Sequence, residues 1–340
     1  MSLEERAARY RPLVAAQMRA AVGNSQDELF AWMRYHLGWE DREGQPVTAS
    51  PGKMMRPVGA LLATEILGSD VHAALPAAAA IELVHNFSLL HDDVEDASEF
   101  RRGRQNLWTF AGAPQAINTG DGMFVIARLA EYAMTDSAVP PERVLAVMRE
   151  LDEACLSLVR GQYLDMSFET RREVSLEAYV EMAGGKTAAM LAAPFAIGAL
   201  IAGAPPETVH AFRAYGHHVG LAFQMVDDIL GIWGDPQVTG KPVGDDLSSR
   251  KMTYPVILGL SATGEEGEAL RSAYATLPSP ADDIAAMARW IAASGAREAT
   301  EARARGEYEL AIAALEGTDL DDAAVELLRE YASAAIGRVT

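Results

Sequence analysis

The chain has 340 residues and a net charge of −19, from 29 Lys plus Arg against 48 Asp plus Glu. That balance excludes nonspecific nucleic-acid binding and a basic membrane-facing surface. Hydrophobic residues make up 49% and suffice for a core, whereas aromatics are only 7% and helix formers dominate, so the fold class predicted is all-α.

Apolar residues recur at spacings of three and four almost everywhere, and no segment alternates with period two. The pattern predicts helices over 4–22, 26–37, 54–67, 71–97, 115–135, 140–169, 175–203, 206–233, 251–261, 280–294, 296–316 and 320–337. Breaks fall at AGAPQ, VPPE, AGAPPE and LPSP, where Pro and Gly end helices. We expect a single helical domain over 1–340, with chemistry-bearing motifs between 53 and 255 and completing helices from 262 to 340. EEGE near Glu265 reads as a solvated face. The one cysteine, Cys155, allows no intrachain disulfide, which fits a reducing compartment. The polar start MSLEERAARYRP, and the lack of an unbroken apolar run of about 18 residues, predict a cytoplasmic chain without stable membrane insertion.

Two acidic clusters sit inside apolar stretches: HDDVED, from His91 to Asp96, and QMVDDILG, from Gln224 to Gly231. Carboxylates in such surroundings need a partner. Asp92 and Asp96 fall at i and i+4 on one helix face, where like charges repel unless a cation lies between them. Mg²⁺ suits the position, since it takes one or two carboxylates and keeps its other octahedral sites for water and phosphate oxygens. Both clusters lie near helix C-termini, where the macrodipole adds to the repulsion.

The cations tell a matching story. There are only four lysines, Lys53, Lys186, Lys241 and Lys251, and each lies beside Gly, Thr or Pro, in PGKMMRP, GGKT, TGKP and RKMTYP. In an arginine-biased chain, a retained lysine marks a place where a compact ammonium is wanted. The loop from Gly234 to Arg250 follows the second acidic cluster directly and reads as a phosphate-covering lid. Adjacent His217 and His218 point to different faces, so a shared metal is disfavoured, and Asp165 with Glu169 forms an acidic i, i+4 pair.

Taken in order, GKMMRP, IELVHNFSLLHDD, HDDVED, RRG at Arg101 to Gly103, GD at Gly120, GQYLD at Gly161, KT at Lys186, FQMVDD at Phe223 and GDPQVTGKPVGDD at Gly234 resemble the polyprenyl synthetase family, the trans-isoprenyl diphosphate synthases. The resemblance implies an all-α homodimer that ionises an allylic diphosphate, adds isopentenyl diphosphate to the carbocation and releases a proton. It implies about three Mg²⁺ ions per site, with Asp92, Asp96 and Asp227 as the principal ligands and Asp93 and Asp228 also among the metal residues. By the same match, Arg101, Lys186 and Lys241 hold the allylic diphosphate, with Lys251 nearby. Lys53, Arg56, His85 and Arg102 hold isopentenyl diphosphate, and Thr187 and Gln224 flank the carbocation. Phe87, with Ser88 beside it, resembles the cavity floor of geranylgeranyl diphosphate synthases, implying a C20 product with C15 as runner-up. Two departures stand out: Gly231 replaces a frequent third aspartate, and Gln105 and Asn106 follow RRGR in place of the more usual Pro-Thr. They keep a class I terpene cyclase, which ionises without coupling, as the alternative, and a noncatalytic helical subunit as a third reading.

Overall fold

The computed structural model describes residues 1–47, 52–169, 171, 173–235, 243–276, 279 and 282–337. Its residues form two compact units, Met1–Asp152 with Ala193–His210, and Glu153–Ala192 with Ala211–Thr340. The protein is all-α apart from one two-stranded hairpin among the described residues.

In the first unit, α1 (Leu3–Val22) starts with a capping box, in which the Ser2 hydroxyl accepts from Glu5 N and the Glu5 carboxylate accepts from Ser2 N. α2 (Glu28–His36) and α3 (Met55–Ile66) lead to α4 (Val71–Glu95), started by Asp70 accepting from His72 N. α4 packs against α1, α3 and α6 and is buried nearly all round, which explains why it shows no polar stripe. β1 (Phe100–Arg101) pairs antiparallel with β2 (Arg104–Gln105); α5 (Trp108–Ala111), α6 (Ala113–Glu131) and a 3₁₀ turn (Tyr132–Asp136) follow. α7 (Pro141–Phe168) begins here, and the end of α9 (Ala189–Ala202) returns to it. There Gly198 seats α9 on α3, since a Cβ would stand 2.4 Å from the Ala60 carbonyl.

The second unit holds the end of α7, then α8 (Leu176–Ala183), a π turn (Gly184–Ala188), the start of α9 and most of α10 (Pro206–Trp233). Beyond it come α11 (Asp245–Ser248), α12 (Tyr254–Ser261), α13 (Glu265–Tyr274), α14 (Ile284–Ala293), α15 (Ala296–Ala313) and α16 (Asp322–Ile336). One apolar cluster joins Phe168, Tyr179, Met225 and Ile257; another joins Ile232, Leu247, Val256, Leu270 and Ile291.

The expected helices are present, with α5 and α11 as short unexpected additions and three further differences. The 175–203 segment is interrupted by the π turn, the EEGE face belongs to a helix of its own, α13, and RRGR forms a hairpin. Val71–Glu95 and Leu176–Ala202 are long and apolar enough to span a membrane by length and composition, contrary to the expectation of no such run. Their apolar windows are 83% and 72% buried by protein, as in core helices.

Candidate active site

In the first unit the motifs converge around the C-terminal half of α4. Asp92 is half-buried, Asp96 is exposed at the C-cap, and no basic residue lies in the last turn to offset the helix dipole. Asp93 is turned inward, 2% exposed. Both Nε and Nη2 of Arg101 donate to its Oδ1 at 2.8 Å, and burial still raises its pKa above the ordinary carboxylate value. Asp93 thereby fixes Arg101. Asn106, unexplained by sequence, is buried and donates to Ser98 O at 2.7 Å, while Ser98 N donates to Asp93 O, so it ties the hairpin to the end of α4. Gln105 accepts from Tyr35 through its carbonyl at 2.8 Å and from Arg42 through its side chain.

The hairpin turn is carried by Arg102 (φ 52°) and Gly103 (φ 74°), two successive positive φ values as a tight two-residue turn requires. This turn lays the Arg102 guanidinium over Gly52, where a Cβ would stand 3.1 Å from Nη2, and so brings Arg102 beside Lys53. Arg56 Nη1 lies 3.3 Å from His85 Nε2. Burial, reinforced by Arg56, Arg102 and Arg101, holds His85 neutral, well below its ordinary pKa. His36, which sequence reasoning did not single out, is pushed down to about 3 by burial and by Arg101, Arg102 and Arg104. Glu82 on α4 is buried; desolvation lifts it to about 7 against the pull of Arg56 and Arg102. The result is a group of arginines around two neutral imidazoles, a setting for a multiply charged anion.

Phe87 is 8% exposed and locked by ring contacts with Phe124 (5.1 Å) and His91 (5.7 Å), while Ser88 Oγ donates back to His85 O. α6 approaches at Gly120, where a Cβ would lie 2.3 Å from His91 Nε2, which accounts for the glycine before Asp121.

The second unit organises its residues through close backbone contacts. Gly161 on α7 faces the π turn so tightly that a Cβ would stand 2.1 Å from Lys186 N, and one on Gly185 would stand 2.7 Å from Ser157 O. The π turn shifts Lys186 and Thr187 out of helical register. Lys186 Nζ pairs with Asp165 Oδ2 at 2.5 Å, which gives that carboxylate its role. Thr187 Oγ1 donates to Gln224 Oε1 at 2.6 Å, and Gln224 Nε2 donates to Asp228 Oδ1 at 2.9 Å. Asp228 Oδ2 accepts from the Tyr179 hydroxyl at 2.6 Å and from Tyr254 N at 2.8 Å. Burial pushes the Asp228 carboxyl up to about 7 despite these donors. Asp227, one residue earlier, is exposed. Gly231 has a structural reason: a Cβ there would fall 1.9 Å from Asp246 Oδ2, so the Asp246 carboxylate occupies the space of a side chain at 231. Lys251 is half-buried and donates its N–H to Asp246 O, whereas Lys241 lies outside the described residues. His218 pairs with Glu307 at 2.7 Å, a packing role.

Backbone strain marks the same places. The non-glycine residues with positive φ among the described residues are Met54, Ala97, Arg102 and Arg250. Three adjoin Lys53, Asp96 and Lys251, and the fourth is Arg102 itself; such strain persists where the surroundings hold a functional geometry.

Hard carboxylate oxygens at helix ends are the donor set Mg²⁺ prefers. Among the described residues no three His, Cys, Asp or Glu side chains gather to chelate an ion by themselves.

A helical fold with acidic helix ends, an arginine-rich hairpin and a lysine-bearing turn is the architecture of enzymes that act on isoprenyl diphosphates. The chain belongs to the polyprenyl synthetase family, matching it over residues 41–291. It is 42% identical over 297 residues to the (2E,6E)-farnesyl diphosphate synthase of Mycobacterium tuberculosis, covering 86% of this chain and 81% of that one. To the geranylgeranyl diphosphate synthase of the same organism it is 39% identical over 299 residues, covering 88% and 84%. A polyprenyl synthetase structure from Streptomyces coelicolor superposes with a TM-score of 0.91 at 38% identity, over 99% of this chain and 100% of that one. A geranylgeranyl pyrophosphate synthase from Corynebacterium glutamicum, complexed with isoprenyl diphosphate and magnesium, matches with a TM-score of 0.82 at 28% identity, over 99% and 100%. The chain is therefore a trans-prenyltransferase, and the expected family, fold class and enzyme class hold.

Proposed function

We propose that the protein condenses isopentenyl diphosphate with an allylic diphosphate to give the C20 geranylgeranyl diphosphate, with the C15 farnesyl product second. The observation that carries coupling is the cation group of Arg56, Arg101 and Arg102 around neutral His85, with Lys53 next in sequence to the Gly52 that Arg102 covers, which a cyclase acting on one diphosphate would not need. A floor at Phe87, braced by Phe124, supports the C20 length.

Asp92, Asp96 and Asp227 would hold Mg²⁺, which would supply Lewis-acid neutralisation of the departing diphosphate. Arg101, Lys186, Lys241 and Lys251 bind that same leaving group and stabilise the charge that builds on it as the C–O bond lengthens. Asp93 aims Arg101, and Asp165 aims Lys186. Lys53, Arg56, His85 and Arg102 bind the second diphosphate and present its alkene. Thr187 and Gln224 offer oxygen dipoles to the allylic cation.

A homodimer in the cytoplasm, without nucleic-acid or stable membrane association, is part of the proposal. Val125, Leu129 and Tyr132 in and just after α6, and Leu156, Val159, Tyr163 and Met166 on α7, are exposed apolar residues available for self-association. The test is incubation with Mg²⁺ and C5, C10 or C15 allylic diphosphates, with and without isopentenyl diphosphate. Longer diphosphates formed only with both substrates support coupling. Hydrocarbon or alcohol from the allylic substrate alone supports the cyclase reading, and no turnover supports the noncatalytic one.

A further inference from the structure

Both carboxylate oxygens of Asp228 already accept hydrogen bonds. Oδ2 takes the Tyr179 hydroxyl from α8 and the Tyr254 N–H from the first turn of α12, and Oδ1 takes Gln224 Nε2 from its own helix one turn earlier. The carboxylate is 3% exposed, and Thr253, the N-cap of α12, makes no side-chain cap bond, so Asp228 serves that helix start instead. The consequence passes along a chain. With Nε2 held by Asp228, the Gln224 amide must present Oε1 to Thr187, whose hydroxyl hydrogen donates to it at 2.6 Å. Thr187 Oγ1 is thereby left with its lone pairs, and its hydrogen is kept from turning outward. An allylic cation is stabilised by the negative end of such a dipole and repelled by the hydrogen.

We propose that Asp228 is a positioning residue for prenyl transfer: through Gln224 it sets the direction of the Thr187 hydroxyl dipole, and it is not a metal ligand. The inference rests on the reading that Thr187 and Gln224 flank the cation. Oriented dipoles at a site of developing charge contribute strongly because they need no reorganisation during reaction.

The test is a double-mutant cycle of Asp228→Asn and Gln224→Ala on the full-length protein, with Asp227→Asn alongside. Asp228→Asn is expected to lower kcat about 10- to 100-fold with KM for both substrates held within about twofold. It should also raise the share of allylic alcohol over elongated diphosphate, since a poorly held cation is trapped by water. The double variant should be no slower than Gln224→Ala alone. Mn²⁺ binding in the presence of pyrophosphate, followed by electron paramagnetic resonance, should match the unmodified protein for Asp228→Asn and weaken for Asp227→Asn. Additive losses, or Mn²⁺ affinity falling with Asp228→Asn as it does with Asp227→Asn, would overturn the proposal. If Gln224→Ala and Thr187→Ala leave kcat unchanged, it is the underlying reading that fails. Tyr179→Phe, which removes one partner of the carboxylate and keeps its ring, gives the same cycle should Asp228→Asn fail to fold.

Discussion

Gly161→Ala is the most informative single methyl group that can be added to this protein. In the structure the new Cβ would lie 2.1 Å from Lys186 N and 2.7 Å from Gly185 C and Lys186 Cα, all backbone atoms that cannot rotate away. Ordinary contact begins at 3.4 Å, so α7 and the π turn must separate by about 1.3 Å (3.4 − 2.1) at that point. Overpacking of this kind costs about 1–3 kcal/mol, to be read as a lower urea midpoint. The larger effect is positional: Lys186 and Thr187 ride on the displaced turn, and an error of about 1 Å in a reacting constellation costs about 10²-fold in rate. The assay is kcat with saturating allylic and isopentenyl diphosphates beside urea unfolding of the same preparation. Gly306→Ala serves as the control, because Gly306 lies within α15 with nothing within 4 Å of its Cβ position. That change should stabilise by about 0.5–1 kcal/mol and leave kcat untouched. A Gly161→Ala protein with wild-type kcat would refute the reasoning that the glycine pair sets the lysine turn.

Three more predictions follow from the same structure. Phe87→Ala removes the ring braced by Phe124 and His91 and should shift products to longer chains by mass spectrometry; an unchanged distribution would remove Phe87 as the floor. Asp92→Ala should cut turnover by about 10²–10³-fold with unaltered far-UV circular dichroism, and near-normal rates would rule out its role at the metal. Glu131 is fully buried beside Arg128, and desolvation, outweighing that arginine, pushes its carboxyl up to about 8. A carboxyl with a raised folded pKa contributes stability that is fully present below the unfolded value and lost as pH rises through the folded one. The native protein should therefore lose up to about 5 kcal/mol between pH 4.5 and 8 from this group, and Glu131→Gln should flatten that decline in thermal melts. Equal pH slopes for the two proteins would contradict it.

Local chemistry was legible in the sequence because helices and helix-borne motifs leave local signatures. The apolar spacing located α4 and α10, and the neighbours of Lys53, Lys186 and Lys251 marked places outside regular α-helix, with Lys186 in the π turn. Gly161 and Gly185 belonged to quoted motifs, yet their shared purpose appears only when their backbones meet. What the sequence concealed lies in long-range partners. Tyr179 and Tyr254 stand 49 and 26 residues from Asp228, and nothing in VDDIL distinguishes the exposed aspartate from the buried one. Asn106 and Gly231 read as departures until Ser98 and the Asp246 carboxylate were seen beside them. The start of α13 reads as solvated because of three glutamates in its first turn, of which Glu265 and Glu268 are exposed, while Leu270 beneath them is fully buried.

The account turns on acidic helix ends that bind a diphosphate only in company with a divalent cation. Isothermal titration of inorganic pyrophosphate, with and without Mg²⁺, tests this directly on the wild type and on Asp92→Asn. Mg²⁺ should tighten pyrophosphate binding by about tenfold or more, pyrophosphate should tighten Mg²⁺ binding by the same factor, and Asp92→Asn should erase the coupling. Pyrophosphate binding of equal strength with and without Mg²⁺ would contradict the account.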